Sequence, residues 1–229
     1  MKIAGIQKLS LIDYPGKVAS VIFTQGCVFR CAYCHNPELI PVTSPLLMRE
    51  EDVMVVLERQ AGFVDGVCIT GGEPTLQHDL PEFTARVRAL GYSIKLDTNG
   101  VHPSMLALML AEGLIDYVAM DLKHTWAGYA RVTSTTSEAA IKNCQRSFAL
   151  IKASGIPHEF RTTILPGEHQ LETLEQMCGY LKDGESYVVQ QFRAGHTLDA
   201  SLRADPAQQA AAFAAQLREQ FPALHISAR

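Results

Sequence analysis

The feature that most constrains this chain is a repeated alternation of short β-branched runs with amphipathic stretches of helical spacing, separated by turn residues. Residues 18–24 (VASVIFT) form such a run, stopping at Gln25-Gly26. Residues 49–60 have helical spacing and an acidic first turn. The runs at 66–70, 92–97, 115–122, 158–165 and 186–192 read as five further strands. Residues 79–90, 103–112, 137–154 and 170–182 read as helices, followed by an alanine-rich helix at 206–220 and a short edge strand at 224–227. Short connections between such units call for parallel crossovers. The pattern predicts an α/β fold: a partial (β/α)6 barrel, as a single domain over residues 1–229, with a doubly wound sheet as the alternative. The longest loop-like stretch, 124–136, reads as a flexible cover or a partner contact.

Ligands of parallel α/β folds bind at the C-terminal ends of the strands. Here those ends carry Cys27, then Gly71-Gly72-Glu73, Asp97-Thr98-Asn99, Asp121 with Lys123, Arg161, and Gln191 with Arg193. Polar and glycine residues thus collect where separate strands converge, as one shared site requires.

Composition narrows the class. Of 229 residues, 47% are hydrophobic and 19% charged, which suits a sizeable core and argues against long disorder. The net charge of −4 argues against non-specific nucleic-acid binding, which rests on neutralising phosphates. Residues 1–16 hold no signal-peptide core, and no run approaches the roughly 18 to 20 apolar residues of a membrane span. A cytoplasmic location with reduced thiols is expected, with neither nucleic acid nor membrane as a partner.

Three of the six cysteines, Cys27, Cys31 and Cys34, lie within eight residues, spaced C-x3-C-x2-C. Thiolates are soft ligands for iron–sulfur clusters and zinc. A structural zinc site closes with a fourth Cys or His, and the nearby candidate, His35, is directly adjacent to Cys34. Three thiolates on one loop better suit a [4Fe–4S] cube with one iron left open to a ligand, whereas a pure electron-transfer cluster normally has four protein ligands. Cys68, Cys144 and Cys178 lie isolated in largely apolar segments and read as packing.

At this point the chain resembles the radical S-adenosylmethionine (SAM) enzymes, through C-x3-C-x-aromatic-C after the first strand, with Tyr33 in the aromatic place. The resemblance implies that the open iron chelates the amino and carboxylate groups of SAM. It also implies that one electron from the cluster cleaves the sulfonium, giving a 5′-deoxyadenosyl radical that abstracts a hydrogen atom. Gly71-Gly72-Glu73-Pro74 is similar to the family's GGE motif, where glycines let backbone approach the methionine moiety.

The resemblance narrows to the glycyl-radical-enzyme activases through Asp97-Thr98-Asn99-Gly100 and Asp121-Leu122-Lys123. Alone, the first is an Asn-Gly turn and the second a solvated strand end. In this register the likeness implies that Asp97 and Thr98 lie near the SAM amino group. Lys123 would meet its carboxylate or ribose, with Asp121 orienting that lysine. Arg161 would lie near the carboxylate, and His196, at a spacing that differs from the activases, would be a further SAM contact. The S-x-x-D-x-P-G segment from Ser10 to Gly16 extends the match, with Tyr14 departing from the commoner form. The implied partner is a glycyl-radical enzyme, specifically an anaerobic ribonucleotide reductase, with a flavodoxin or ferredoxin-type electron donor. The alternatives are a small-molecule radical SAM enzyme resembling the 7-carboxy-7-deazaguanine synthases, and a non-enzymatic metal or electron-transfer module.

Overall fold

Four of the strands, with sequences ASVIFT, GVCITG, YVAMD and SYVVQ, are nearly continuous hydrophobic runs, as parallel strands buried on both faces require. In the computed structural model, which describes residues 1–45, 47–207 and 209–229, the strands are β1 (Ile3–Ser10), β2 (Ala19–Thr24), β3 (Gly66–Gly71), β4 (Ser93–Thr98), β5 (Tyr117–Asp121), β6 (His158–Thr163), β7 (Ser186–Gln190) and β8 (His225–Ala228). Their order in the sheet is the order of the sequence, with β1 and β8 at its edges, so the sheet is open. The strict order removes the doubly wound alternative, which needs a point where strand order reverses.

The helices are α1 (Glu50–Gln60), α2 (Leu80–Ala89), α3 (Pro103–Ala111), α4 (Tyr129–Thr133), α5 (Glu138–Ser154), α6 (Leu171–Cys178) and α7 (Ala210–Gln220). Three acidic residues, Glu50, Glu51 and Asp52, open α1 and complement its dipole. Pro103 opens α3, where its missing N–H costs nothing.

The chain divides into two compact units. The first comprises Met1–Val28, Glu38–Ala119 and Asn143–Pro157. In it β2 runs parallel to β3 and β3 to β4, and Ile22, Val67, Ile69, Ile94 and Leu96 are fully enclosed. The second comprises Phe29–Pro37, Met120–Lys142 and His158–Arg229, with β6, β7 and β8 parallel around Phe160, Tyr187 and Val189.

Four elements depart from the sequence reading, one of them α6, which stops at Cys178 before Gly179 and short of the expected 182. The strand β1, which no periodicity announced, pairs antiparallel with β2 through two irregularities of register. Gly5, Gln7 and Lys8 blur its alternation, and hydrogen bonds from its neighbour make it a strand. Within 124–136, α4 is packed down: Trp126 stacks on Tyr129 and Tyr180, at 5.2 and 5.8 Å between centroids, and Tyr129 is buried. Helix α7 begins at Ala210, after an aspartate turn in which Asp205 accepts from the Ala207 N–H at 2.9 Å; position 208, inside the expected helix, lies outside the described residues.

Candidate functional site

In the first unit, the segment after β2 is held by backbone. The Gly26 N–H donates to the Leu39 carbonyl at 2.7 Å and the Cys27 N–H to that of Ile40 at 3.0 Å. The Gln25 side chain donates to the carbonyls of Glu38 and Pro41. Gly71, at the end of β3, has φ of +119°, and a Cβ there would stand 2.2 Å from the Thr24 nitrogen. At Gly72 a Cβ would lie 2.3 Å from the Gly26 carbonyl oxygen, and backbone cannot move aside as a side chain can. Glycine is required here by close approach to the cysteine-bearing segment.

Glu73 is completely buried. One carboxylate oxygen accepts from the Thr75 N–H and hydroxyl and from the Thr98 hydroxyl at 2.6 Å, and the other accepts from the Asn99 N–H at 2.7 Å. Burial pushes its pKa up, against the pull of those donors. Its side chain therefore ties the loop after β3 to the loop after β4.

Asp97 lies two residues beyond Lys95, on the same face of β4. The two form an ion pair, with Lys95 1% and Asp97 8% exposed, and the Lys95 ammonium also lies 3.8 Å from the Cys68 sulfur. Thr98 accepts from the Gly100 N–H at 3.0 Å while donating to Glu73. The Asn99 side chain closes a turn by accepting from the Val101 N–H at 3.0 Å, and its Nδ2 lies 3.7 Å from the Cys27 sulfur. From α5, the Cys144 thiol donates to the Asn99 carbonyl at 3.3 Å and Ser147 to the Gly100 carbonyl at 2.7 Å.

In the second unit, Cys31 is buried and Cys34 partly exposed, and burial pushes the Cys31 thiol up. Their turn is fastened by N–H donation from Leu198 to the Cys34 carbonyl at 3.1 Å and from Asp199 to that of Ala32 at 2.9 Å. Asp121, at the end of β5, sits between two cations: Lys123 at 3.0 Å on one oxygen, and Arg161 of β6 at 2.9 and 3.2 Å on the other. Two positive groups around one carboxylate leave a net positive centre. The Lys123 ammonium stands 5.7 Å from the centre of the Tyr33 ring. Burial opposes its charge, yet Asp121 and its other neighbours carry its pKa well above the ordinary lysine value. Tyr33 is buried, and that burial keeps it a neutral phenol.

His169 is fully buried; its Nδ1 accepts from the Leu165 N–H at 2.8 Å, so the proton is on Nε2, which donates to the Lys123 carbonyl at 2.9 Å. His196 is exposed after β7, and His35, also exposed, reaches the Arg193 carbonyl at 2.9 Å.

Three of these residues were missed from sequence. Lys95 carried a signal, a lysine inside an apolar strand two residues before an aspartate. Asn99 read as a turn residue and His169 as one histidine among eight, because their partners are remote in the chain.

No two of the six cysteines are joined in a disulfide, and Cys68, Cys144 and Cys178 are buried. Among the described residues no three His, Cys, Asp or Glu side chains stand gathered as a metal-holding group. The C-x3-C-x2-C segment supplies soft thiols, the donor type that an iron–sulfur cluster takes.

The radical SAM superfamily model matches residues 21–181. A Methanocaldococcus jannaschii protein named as a glycyl-radical enzyme activating enzyme is 34% identical over 207 residues, covering 89% of this chain and 85% of its own. The pyruvate formate-lyase-activating enzyme of Clostridium pasteurianum is 33% identical over 54% of this chain and 52% of its own. Among solved structures, SuiB of Streptococcus suis bound to S-adenosylmethionine superposes with a TM-score of 0.70 at 14% identity, covering 91% of this chain and 49% of that one. Methylornithine synthase gives 0.64 at 17% identity, covering 91% and 63%. This chain thus spans about half the length of SuiB, and both structures share its fold. Among the described residues no helix is long and apolar enough to cross a membrane. On its motifs, its fold and these relatives, the chain belongs to the radical SAM superfamily, among the glycyl-radical enzyme activating enzymes, with a [4Fe–4S] cluster and S-adenosylmethionine as cofactors.

Proposed function

We propose that this protein generates a glycyl radical on an anaerobic ribonucleotide reductase, with Cys27, Cys31 and Cys34 as the cluster ligands. The observation that carries the reading is the relative named for glycyl-radical enzyme activation, similar over nearly the whole of both chains. The DTNG and DLK segments at the ends of β4 and β5 support it further. Held by those cysteines, the cluster would supply the electron for reductive cleavage of SAM, with a partner glycine Cα as the hydrogen donor. The protein's part is position and electrostatics. Gly71 and Gly72 open backbone to the methionine moiety, and Glu73 fixes that loop from within. Asp97 and Thr98 present oxygens to the SAM ammonium. Lys123 and Arg161, held on Asp121, receive its carboxylate, with Tyr33 beside the lysine and His196 as an outer contact. A flavodoxin or ferredoxin-type protein of the cytoplasm supplies the electron.

The test is anaerobic: reconstituted protein, SAM, dithionite and the reductase are mixed and frozen for EPR. A glycyl-radical doublet on the reductase, dependent on this protein and SAM, is expected. Substrate-independent 5′-deoxyadenosine with no radical on the reductase would refute that partner. Turnover of a small molecule without any protein partner would place the chain with the small-molecule enzymes instead.

A further inference from the structure

Asn99 is held in one orientation by three contacts. Its N–H donates to Glu73 at 2.7 Å, its carbonyl accepts from the Cys144 thiol at 3.3 Å, and its Oδ1 accepts from the Val101 N–H at 3.0 Å. Because the Val101 N–H is only a donor, it settles which end of the amide is oxygen, and the NH2 end is the one 3.7 Å from the Cys27 sulfur. Asn99 is 4% exposed, so little water competes for that donor.

We infer that Asn99 is a redox-positioning residue, whose side-chain amide donates an N–H···S hydrogen bond to Cys27 and raises the reduction potential of the cluster that Cys27 holds. The inference rests on the reading of Cys27 as a ligand. Hydrogen bonds to cluster sulfurs are one of the levers that set iron–sulfur potentials. Adding one electron to the oxidised cluster, here from dithionite, increases negative charge on the sulfurs, so a donor there stabilises the reduced form more than the oxidised one. Groups beyond the ligands commonly tune a metal in this way. The Glu73, Thr98 and Asn99 contacts then have a shared outcome: the loop after β4 is clamped so that one donor faces the cysteine.

The test is an EPR-monitored redox titration of the reconstituted protein. Asn99→Asp keeps the acceptor for the Val101 N–H and deletes the donor; Asn99→Ser deletes the amide by a different route. Each variant should retain its iron content and SAM affinity, while the ratio of reduced to oxidised cluster at a fixed ambient potential falls about tenfold, a lowering of about 59 mV for a one-electron couple. A fully loaded variant with the wild-type potential would overturn the inference. To make the test independent of cluster loading in a variant, the wild type is also measured with asparagine labelled with 15N in its side chain: a 15N hyperfine coupling on the reduced cluster is expected, and its absence would also overturn it. Failure of the underlying reading gives a different result, a Cys27→Ala protein that assembles the same cluster.

Discussion

The Nε2 of His169 donates to the carbonyl of Lys123 across 2.9 Å, although 46 residues separate the two in sequence. The two bonds together need a neutral imidazole, because Nδ1 accepts from the Leu165 N–H. Desolvation by burial lowers the His169 pKa to about 4 from an ordinary 6.5. The histidine therefore acts as a neutral clasp behind the lysine.

This fixes the sign of one pH effect. The folded pKa lies below the unfolded one, so the unfolded chain takes up the proton first on acidification. The stability present above pH 6.5 is lost as pH falls toward 4, by on the order of 3 kcal/mol in total. Thermal midpoints measured across that window should fall more steeply for the wild type than for His169→Gln. Parallel profiles would contradict the neutral clasp.

Removal of the Glu73 carboxylate should be costly. Glu73→Ala leaves the N–H groups of Thr75 and Asn99 and the Thr98 hydroxyl without their buried acceptor. Each such group costs about 1–3 kcal/mol when unpaired, so a loss of about 3 kcal/mol or more in urea unfolding is expected. A variant of unchanged stability would mean that water replaces the carboxylate.

Gly72→Ala forces a methyl onto the Gly26 carbonyl, one residue before Cys27. Iron retained after anaerobic reconstitution should fall several-fold, and SAM cleavage with it. Wild-type iron content in this variant would show that the segment shifts freely.

Lys95 and Asp97 should couple. Lys95→Met leaves a buried carboxylate without its cation, at a cost of about 3–5 kcal/mol, and Asp97→Leu leaves a buried ammonium without its anion at similar cost. The double variant should recover much of that loss, as measured by a double-mutant cycle. Its SAM affinity should remain low, because Asp97 is gone. Simple additivity of the two losses would exclude a functional pair.

The cysteines should separate into two sets. Alanine at Cys27, Cys31 or Cys34 should abolish the iron–sulfur absorbance near 400 nm. Alanine at Cys68, Cys144 or Cys178 should retain it and lower the thermal midpoint modestly, since each side chain is buried. Loss of the chromophore in the second set alone would reverse the assignment.

The sequence by itself determined the alternation of β and α elements, the positions of the strand ends, and the C-x3-C-x2-C, GGE, DTNG and DLK segments. Each of these is local: a run of β-branched residues, a glycine pair or a thiol spacing carries its meaning within a few residues. Only the tertiary structure decided that Ile3–Ser10 is a strand, because its pairing comes from β2. It also showed that Glu73 turns inward, that Lys95 neutralises Asp97, that His169 clasps Lys123 and that Asn99 aims its amide at Cys27. Those contacts join residues from 2 to 72 positions apart. Apart from the Lys95–Asp97 spacing along one strand face, no periodicity records them, because burial and hydrogen-bond geometry exist only once the chain has closed on itself.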